Sequence, residues 1–424
     1  MNELTITVGP ERAEIVGADN RALQAAVDYV AAAGGGVVGI RPGTYRMDDS
    51  LHLRSHVRVI GEGERTILRK SPMVRTTLVG YLGYGHYDIW VKEPDKLHSG
   101  MGVVIFDKNA PGFYQTQATL TWRDGNRFGV SRMLNHDYDG DSGGTVLSLF
   151  PVVSGCGVEG ASVENLAIDG NRAENEALNG CRGGGVFLIQ AHHVALRGVT
   201  VRDFYGEGIS FQQCLHTLIE DCTCEGNAGM GLHPGSGSVA PVIRRCTLRR
   251  NDAGGVFYCL RVTFSLLEGC TIDENAGIAI SVGGRDTDHL IRNNTIRGNG
   301  QYGLYFRREN EVMAGHRCRF EHNTLERNCT GRYDAEIFLD ATVQDVHLLR
   351  NRITVGPASG KGVGIRVGPE ARRIVAFENE ITGALTQPIE MLGPKEAVSI
   401  EEPKVPLAVG PDAAPEDAAR HLFA

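Results

Sequence analysis

The sequence has no run of apolar residues long enough to cross a bilayer. Its opening, Met1-Asn2-Glu3-Leu4-Thr5, lacks the basic stretch and apolar core of a secretory leader. The expectation is a cytoplasmic protein with no membrane partner. A surplus of positive charge is missing too: 43 Lys and Arg stand against 51 Asp and Glu, a net charge of −8. A nucleic-acid partner is therefore not expected, because phosphate binding draws on a basic surface. Among the 10 Cys there is no CxxC pair, so spacing does not suggest zinc. Apolar residues do not recur with a helical period, which argues against helical repeats.

What is present is a repeat. Between about Val163 and Ile381 nine short segments recur, each a small or polar residue followed by a strand-like apolar position. Cys222, Cys246, Cys270 and Asn294 begin four of them at a step of 24 residues, and Asn227, Asn251, Asn275 and Asn299 keep the same step. A fixed period in this range marks a solenoid. Asn, Gly and short β-branched runs give each rung two or three short strands joined by turns. Stacking puts equivalent residues about 4.8 Å apart. Asn at one turn position can then form a ladder, since its amide bonds to the next copy and Asn tolerates the left-handed turn conformation. The Cys column reads as reduced thiols buried inside the coil rather than as disulfides.

The first residues carry a family pattern. Asp19-Asn20-Arg21-Ala22-Leu23-Gln24-Ala25-Ala26-Val27-Asp28, then Gly34-Gly35-Gly36-Val37-Val38-Gly39-Ile40, then Pro42-Gly43-Thr44-Tyr45 are similar to the opening of pectate lyase superfamily (pectin-lyase-like) proteins. With the repeats, the resemblance covers about 19–63 and 163–392. It implies an all-β fold, a right-handed parallel β-helix. It also implies a poly- or oligosaccharide substrate, on a fold that hosts lyases, hydrolases, epimerases, fructotransferases and non-catalytic adhesins. Monomer and homo-oligomer, a trimer included, are both compatible with it. No cofactor is required by the residues present, and Ca²⁺ is the one candidate.

Taken in order, residues 1–73 hold a capping helix and the first rungs. Asp19 or Asn20 caps a helix over Arg21–Ala33, with Leu23, Ala26, Val27 and Val30 on one face and Gly34-Gly35-Gly36 ending it. In 74–154 the period disappears. This β-rich insertion holds both Trp and many aromatics, among them Tyr81, Tyr84, Tyr87, Trp90, Phe113, Tyr114, Trp122 and Phe128. They are expected to form a small private core; the other reading is a wall that stacks on sugar rings. Arg123-Asp124-Gly125-Asn126 signals a hairpin. Asp137, Asp139 and Asp141, alternating with Tyr138 and Gly140, offer carboxylates to Ca²⁺ or serve as turn residues. The main coil occupies 155–393. The segment 394–424 is a Pro-containing tail packed along it, with Pro415–Phe423 a short final helix.

Aligned on their longest strand, the repeats send Ile209, Leu232, Val256, Ile280 and Leu304 inward. His233 and Tyr305 face outward, with Gln212 and Arg307 in the next outward column; Gln213 and Tyr258 lie beside them. Further on come Arg261, Arg285, Asp286, Asp288 and Glu309, then His316 and Arg317, which cover the groove or cap a turn. A site is expected around His233, Arg285, Asp286, Asp288, Arg307 and Glu309, since convergent charged groups in a groove suit a ligand. The other seven residues, Gln212, Gln213, Tyr258, Arg261, Tyr305, His316 and Arg317, would contact the substrate.

Two reaction classes fit these residues. β-Elimination from a uronic acid needs the carboxylate neutralised, a base for the adjacent proton and an acid for the leaving oxygen. Arg285, Arg307 and Gln212 suit the first role, and His233 or Tyr305 the others. Hydrolysis or glycosyl (fructo)transfer needs two carboxyl groups, and Asp286, Asp288 and Glu309 supply candidates. The outward strand face is short of carboxylates, which leans the reading toward a polysaccharide lyase. A binding β-helix without chemistry is the further alternative.

Overall fold

In the computed structural model, residues 3–331, 333–340, 342–357 and 362–415 are described. They form a coil of three-stranded rungs. One rung runs through Leu218–Glu220, Thr223–Glu225 and Met230–Gly235, and the next through Val242–Arg244, Thr247–Arg249 and Gly254–Phe257. Each strand pairs in parallel with its copy one rung on, as Thr223 with Thr247 and Leu232 with Val256. One face is an 11-stranded sheet; the other two faces share a 22-stranded sheet. Ile209, Leu232, Val256, Ile280 and Leu304 all point inward with no solvent exposure. No helix among the described residues is long and apolar enough to cross a membrane.

The repeat in the sequence is the corner between the first two strands of a rung. Asn165, Gly198, Asp221, Arg245, Gly269, Asn293, His322, Arg350 and Glu378 occupy it with left-handed φ of 50 to 63°. The residue after each begins one of the nine segments. The ladder asparagines are therefore not the left-handed residues; they follow them and turn their amides inward. Each Nδ2 donates to the next Oδ1 along Asn294, Asn323, Asn351 and Asn379, at 2.9 to 3.1 Å. Cys222, Cys246 and Cys270 continue this column upward, and the Cys270 N–H donates to Asn294 Oδ1 at 2.9 Å. The ten cysteines are all free thiols. The second ladder runs Asn227, Asn251, Asn275, Asn299 and Asn328 and ends on the buried Glu336, whose Oε2 accepts from Asn328 Nδ2 at 2.8 Å.

The first rung is covered by the helix Asn20–Ala32, capped by Asp19, whose carboxylate accepts the Ala22 N–H. Leu23, Ala26, Val27 and Val30 bury its inner face. Gly36 must be glycine, because a Cβ there would meet the Leu4 carbonyl oxygen at 2.4 Å. The insertion is a six-stranded sheet with its own core of Leu78, Ile89, Val103, Ile105, Leu120, Phe128 and neighbours. The hairpin at Gly125 is present, pairing Asp124 with Arg127. Of the aromatics, Phe128 and Tyr138 are buried in that core among aliphatic side chains, whereas Tyr81, Tyr84, Tyr87, Trp90, Phe113, Tyr114 and Trp122 are exposed. The coil sheet resumes with Val153–Cys156.

The tail returns along the coil. Val398 pairs beside Ile374, Arg319 donates to the Leu407 carbonyl, and the Gly410 N–H donates to the Asp288 carbonyl. Most of the expected helix Pro415–Phe423 lies outside the described residues.

Candidate functional site

Strand pairing on the 11-stranded face lines up outward side chains from successive rungs. The column begins with His52 and Ser154, passes Ser210 and His233, and continues through Ser281, Tyr305 and Phe338 to Arg366 and Glu390. Sequence alternation predicted this face. It did not predict how the corners beyond each strand redirect the charged residues.

Of the expected site residues, His233 and Arg307 do face this column. Arg307 lies over the Phe257 ring, 4.5 Å from its centroid, and donates to Ser281 Oγ at 3.0 Å and the Cys259 carbonyl at 3.1 Å. Asp286 is fully buried inside the corner. Its oxygens accept from Val262 N–H and Gly283 N–H at 2.9 and 3.1 Å, and Arg307 lies 3.3 Å away. Burial raises its carboxyl to about 7 against the pull of Arg307. Asp288 is held by Arg317 at 2.6 Å under the returning tail. Asp286 and Asp288 are therefore not a pair of carboxyls flanking a substrate. Arg261, Arg285 and Gln213 sit at left-handed corners with φ of 56, 63 and 55°, so they leave the strand instead of stacking on it. The Glu309 carbonyl accepts the Thr342 hydroxyl.

Tyr258 does not reach the groove expected for it. It turns into the coil with no exposure, accepts from Ser265 Oγ at 3.0 Å and stacks on His289 at 4.4 Å. Gln212 is buried and donates to Ser210 Oγ at 3.3 Å, while the Tyr305 hydroxyl donates to Asp340 at 3.0 Å. His316 caps a turn: its Nδ1 accepts the Gln344 N–H and its Nε2 meets the Glu311 carbonyl. Asp137 and Asp139 accept from the backbone N–H groups of Tyr84 and Asp141. With Asp141 they do not gather into a ligand set among the described residues.

Two clusters on this face were not read from the sequence. In the first, His233 is 4 % exposed, with Nδ1 3.4 Å from Glu207 Oε1 and Nε2 3.9 Å from Cys181 Sγ. Glu207 Oε2 also accepts the Met230 N–H. The carboxylate fits between Gly180 and Gly229, where a Cβ would approach its oxygens to 2.4 Å. Burial opposes charge on His233, but hydrogen bonds with Cys181 and Glu207 outweigh it and raise the imidazole to about 9. Hydrogen bonding from Cys259 and then His233 lowers the Cys181 thiol to about 5. Both ring nitrogens of His233 are thus engaged, Nδ1 toward Glu207 and Nε2 toward Cys181, on a buried side chain, so the imidazole is not presented to the groove as a free base.

The second cluster lines a cleft where the insertion meets the coil. His52 faces outward there, about a third exposed. Its Nδ1 is 2.9 Å from Ser154 Oγ and its Nε2 is 3.2 Å from Asp49 Oδ2. Thr119 Oγ1 donates to the same Asp49 oxygen at 2.6 Å, and the His52 N–H donates to Gln24 of the capping helix at 2.8 Å. Gly102 leaves room for Asp49, since a Cβ would come within 2.3 Å of its Oδ1. Arg132, Gln117, Phe150 and Phe187 complete the walls. Behind Phe150 lies the buried Lys70, its Nζ 4.0 Å from the ring centroid and donating to the Ser148 carbonyl at 2.8 Å. Burial lowers its ammonium to about 7, although Asp48 and Asp49 pull the other way.

A family model described as a right handed beta helix region matches residues 142–261 and 184–353, together half of the chain. The chain belongs to the right-handed β-helix family. No curated protein matches it. Among solved structures, the Azotobacter vinelandii mannuronan C-5 epimerase AlgE6 A-module is similar at 16 % identity and a TM-score of 0.54, covering 91 % of this chain and 96 % of that one. PfbA, a surface adhesin of Streptococcus pneumoniae, is similar at 14 % identity and a TM-score of 0.54, covering 90 % and 88 %. The Dettilon tailspike protein is similar at 14 % identity and a TM-score of 0.53, covering 89 % and 68 %. At these identities the likeness shows the fold.

In this β-helix protein both clusters escape sequence reading for one reason. Asp49 and Ser154 are separated by the whole insertion, and Cys181, Glu207 and His233 each come from a different rung. The readable signal was a His or Cys at an outward strand position one rung from another polar residue. His52 beside Ser154 meets it once the insertion is removed from the alignment.

Proposed function

We propose that the protein is a carbohydrate-active enzyme that cleaves an acidic poly- or oligosaccharide by β-elimination, in the cleft between the insertion and the coil. The observation that carries this reading is the His52 imidazole held between Asp49 and Ser154 in a cleft that Arg132 also lines. Arg132 is exposed and suited to a substrate carboxylate. His52 takes the proton on the carbon beside that carboxylate and delivers it to the leaving oxygen. Asp49 stabilises the imidazolium in between. Exposed Trp122, on the strand that also carries Thr119, and exposed Trp90, on the strand Asp88–Trp90, both lie near Arg127 and offer an aromatic surface for sugar rings. One similar structure is a mannuronan C-5 epimerase by name, which supports a polysaccharide as substrate class.

A second reading is favoured by the 2.9 Å contact of Ser154 Oγ with His52: hydrolysis of an ester on a decorated glycan, with Ser154 as nucleophile. Incubation with a panel of uronate, neutral and O-acylated polysaccharides tests both. Elimination predicts absorbance of unsaturated ends on acidic substrates. It also predicts a loss of about 10²–10⁴-fold in His52→Ala, with Ser154→Ala retaining activity. Release of acid without unsaturated ends, abolished in Ser154→Ala, selects the ester reading. Wild-type rates in both variants would mean the cleft is not the site.

A further inference from the structure

We propose that Cys181, His233 and Cys259 bind one thiophilic divalent cation, zinc by the chemistry of the donors, with Glu207 orienting the imidazole. The inference is independent of the reaction assigned to the cleft. Cys181 Sγ, His233 Nε2 and Cys259 Sγ lie within 4.8 Å of one another, and this is the one such group among the described residues. A tetrahedral zinc with bonds of about 2.3 Å to sulfur and about 2.1 Å to nitrogen holds its ligand atoms about 3.5–3.8 Å apart. Cys181 Sγ and His233 Nε2 are already 3.9 Å apart. The site therefore needs a closure of under about 1 Å, which side-chain rotation supplies.

The donors sit on different rungs. His233 is in the strand Met230–Gly235, and Cys259 follows the strand Gly254–Phe257 one rung on. Cys181 comes from the loop before Val186–Ile189. That loop is tied down by Ser210 Oγ, which donates to the Gly180 carbonyl at 2.6 Å, and by Gln117 Nε2, which donates to the Arg182 carbonyl at 2.8 Å. Two thiolates and an imidazole select a soft ion over calcium or magnesium. The Nδ1 of His233 faces Glu207 Oε1, the carboxylate contact that metal-bound histidines use to fix ring orientation. His233 is buried, whereas Cys181 and Cys259 are partly exposed, so the fourth position opens toward the outer face. Three protein donors leave the fourth position of a tetrahedral zinc to water or another small ligand.

The test uses the full chain, reduced, stripped with a chelator and titrated with Co²⁺ and then Zn²⁺. Metal analysis gives the stoichiometry, and absorbance reports thiolate-to-cobalt charge transfer and tetrahedral d–d bands. The expected result is one ion per chain, with zinc displacing cobalt. Cys181→Ser, Cys259→Ser and His233→Ala should each lose the tetrahedral spectrum, and Glu207→Gln should weaken binding about 10–100-fold. Cys156→Ser, an exposed cysteine outside the cluster, should leave the affinity unchanged. Failure of the reduced wild-type chain to give thiolate–cobalt bands would overturn the proposal, with no variant needed. So would bands that persist in both Cys181→Ser and Cys259→Ser, or a Cys181–Cys259 disulfide in freshly purified protein mapped without reductant.

Discussion

Replacing Asn275 by Ala removes the middle of a buried ladder, and the structure sets the cost. The Asn275 Oδ1 accepts from Asn251 N–H at 3.0 Å and Asn251 Nδ2 at 2.9 Å. Its Nδ2 donates to the Leu248 carbonyl at 3.0 Å and to Asn299 Oδ1 at 2.9 Å. Truncation strips all four bonds. Asn299 Oδ1 keeps the Asn275 N–H as a donor, and Asn251 Nδ2 keeps the Cys224 carbonyl as an acceptor. What is orphaned is the Asn251 N–H and one amide hydrogen of Asn251, with the Leu248 carbonyl losing a donor. A buried unsatisfied polar group costs about 1–3 kcal/mol. Two donors therefore predict a loss of about 4 kcal/mol, falling toward about 2 if a water enters the space and bridges them. Asn275→Asp keeps the acceptor but sets a carboxylate against the Leu248 carbonyl and Asn299 Oδ1. It should be as damaging as Ala at neutral pH and recover in acid, where the protonated form donates again. Urea unfolding followed by far-ultraviolet circular dichroism measures both. A loss under about 1 kcal/mol for Ala, or an Asp variant as stable as wild type at pH 7, would refute the claim that the ladder holds the rungs together.

Three further outcomes follow from particular contacts. Burial raises the Glu336 carboxyl from 4.5 to about 7, with the Asn328 amide groups pulling it back. The folded chain thus keeps a proton that the unfolded chain releases, and stability falls as pH climbs from about 4.5 to 7, by at most about 1.4 kcal/mol per pH unit. Glu336→Gln keeps an acceptor without the charge, so urea midpoints at pH 5 and pH 8 should differ less than in wild type; an unchanged difference would count against a buried titrating Glu336. Asp19→Ala should cost about 1 kcal/mol through loss of the helix cap and Asp19→Asn little, read from thermal midpoints. Tyr258→Phe should lose about 1 kcal/mol with its Ser265 hydrogen bond and leave any glycan-directed rate unchanged; a fallen rate would return Tyr258 to the groove.

Period and alternation were enough to read the coil, its capping helix and which side of each strand faces inward. A parallel solenoid repeats one local environment, so a residue such as Leu232 or Asn275 meets the same neighbours as its copy 24 residues away. Alternation along a strand then assigns inside and outside without further information. What happens at the corners follows from contacts between rungs, which a linear pattern does not carry. A left-handed residue there turns Arg261 and Arg285 away from the face, stapling draws Asp286 into the wall, and Tyr258 rotates into the core. Composition does not say which apolar residues of the insertion enter its small core: Leu, Ile and Val share it with Phe128 and Tyr138, and most of the other rings stay outside. The donors Cys181, His233 and Cys259 have no metal-binding spacing in the sequence, because His233 and Cys259 sit one rung apart and Cys181 reaches them from a loop. In a solenoid the distance between two side chains is set by how many rungs separate them and by the loops that leave the coil. Chemistry there is assembled across rungs, where a linear motif has no reason to appear.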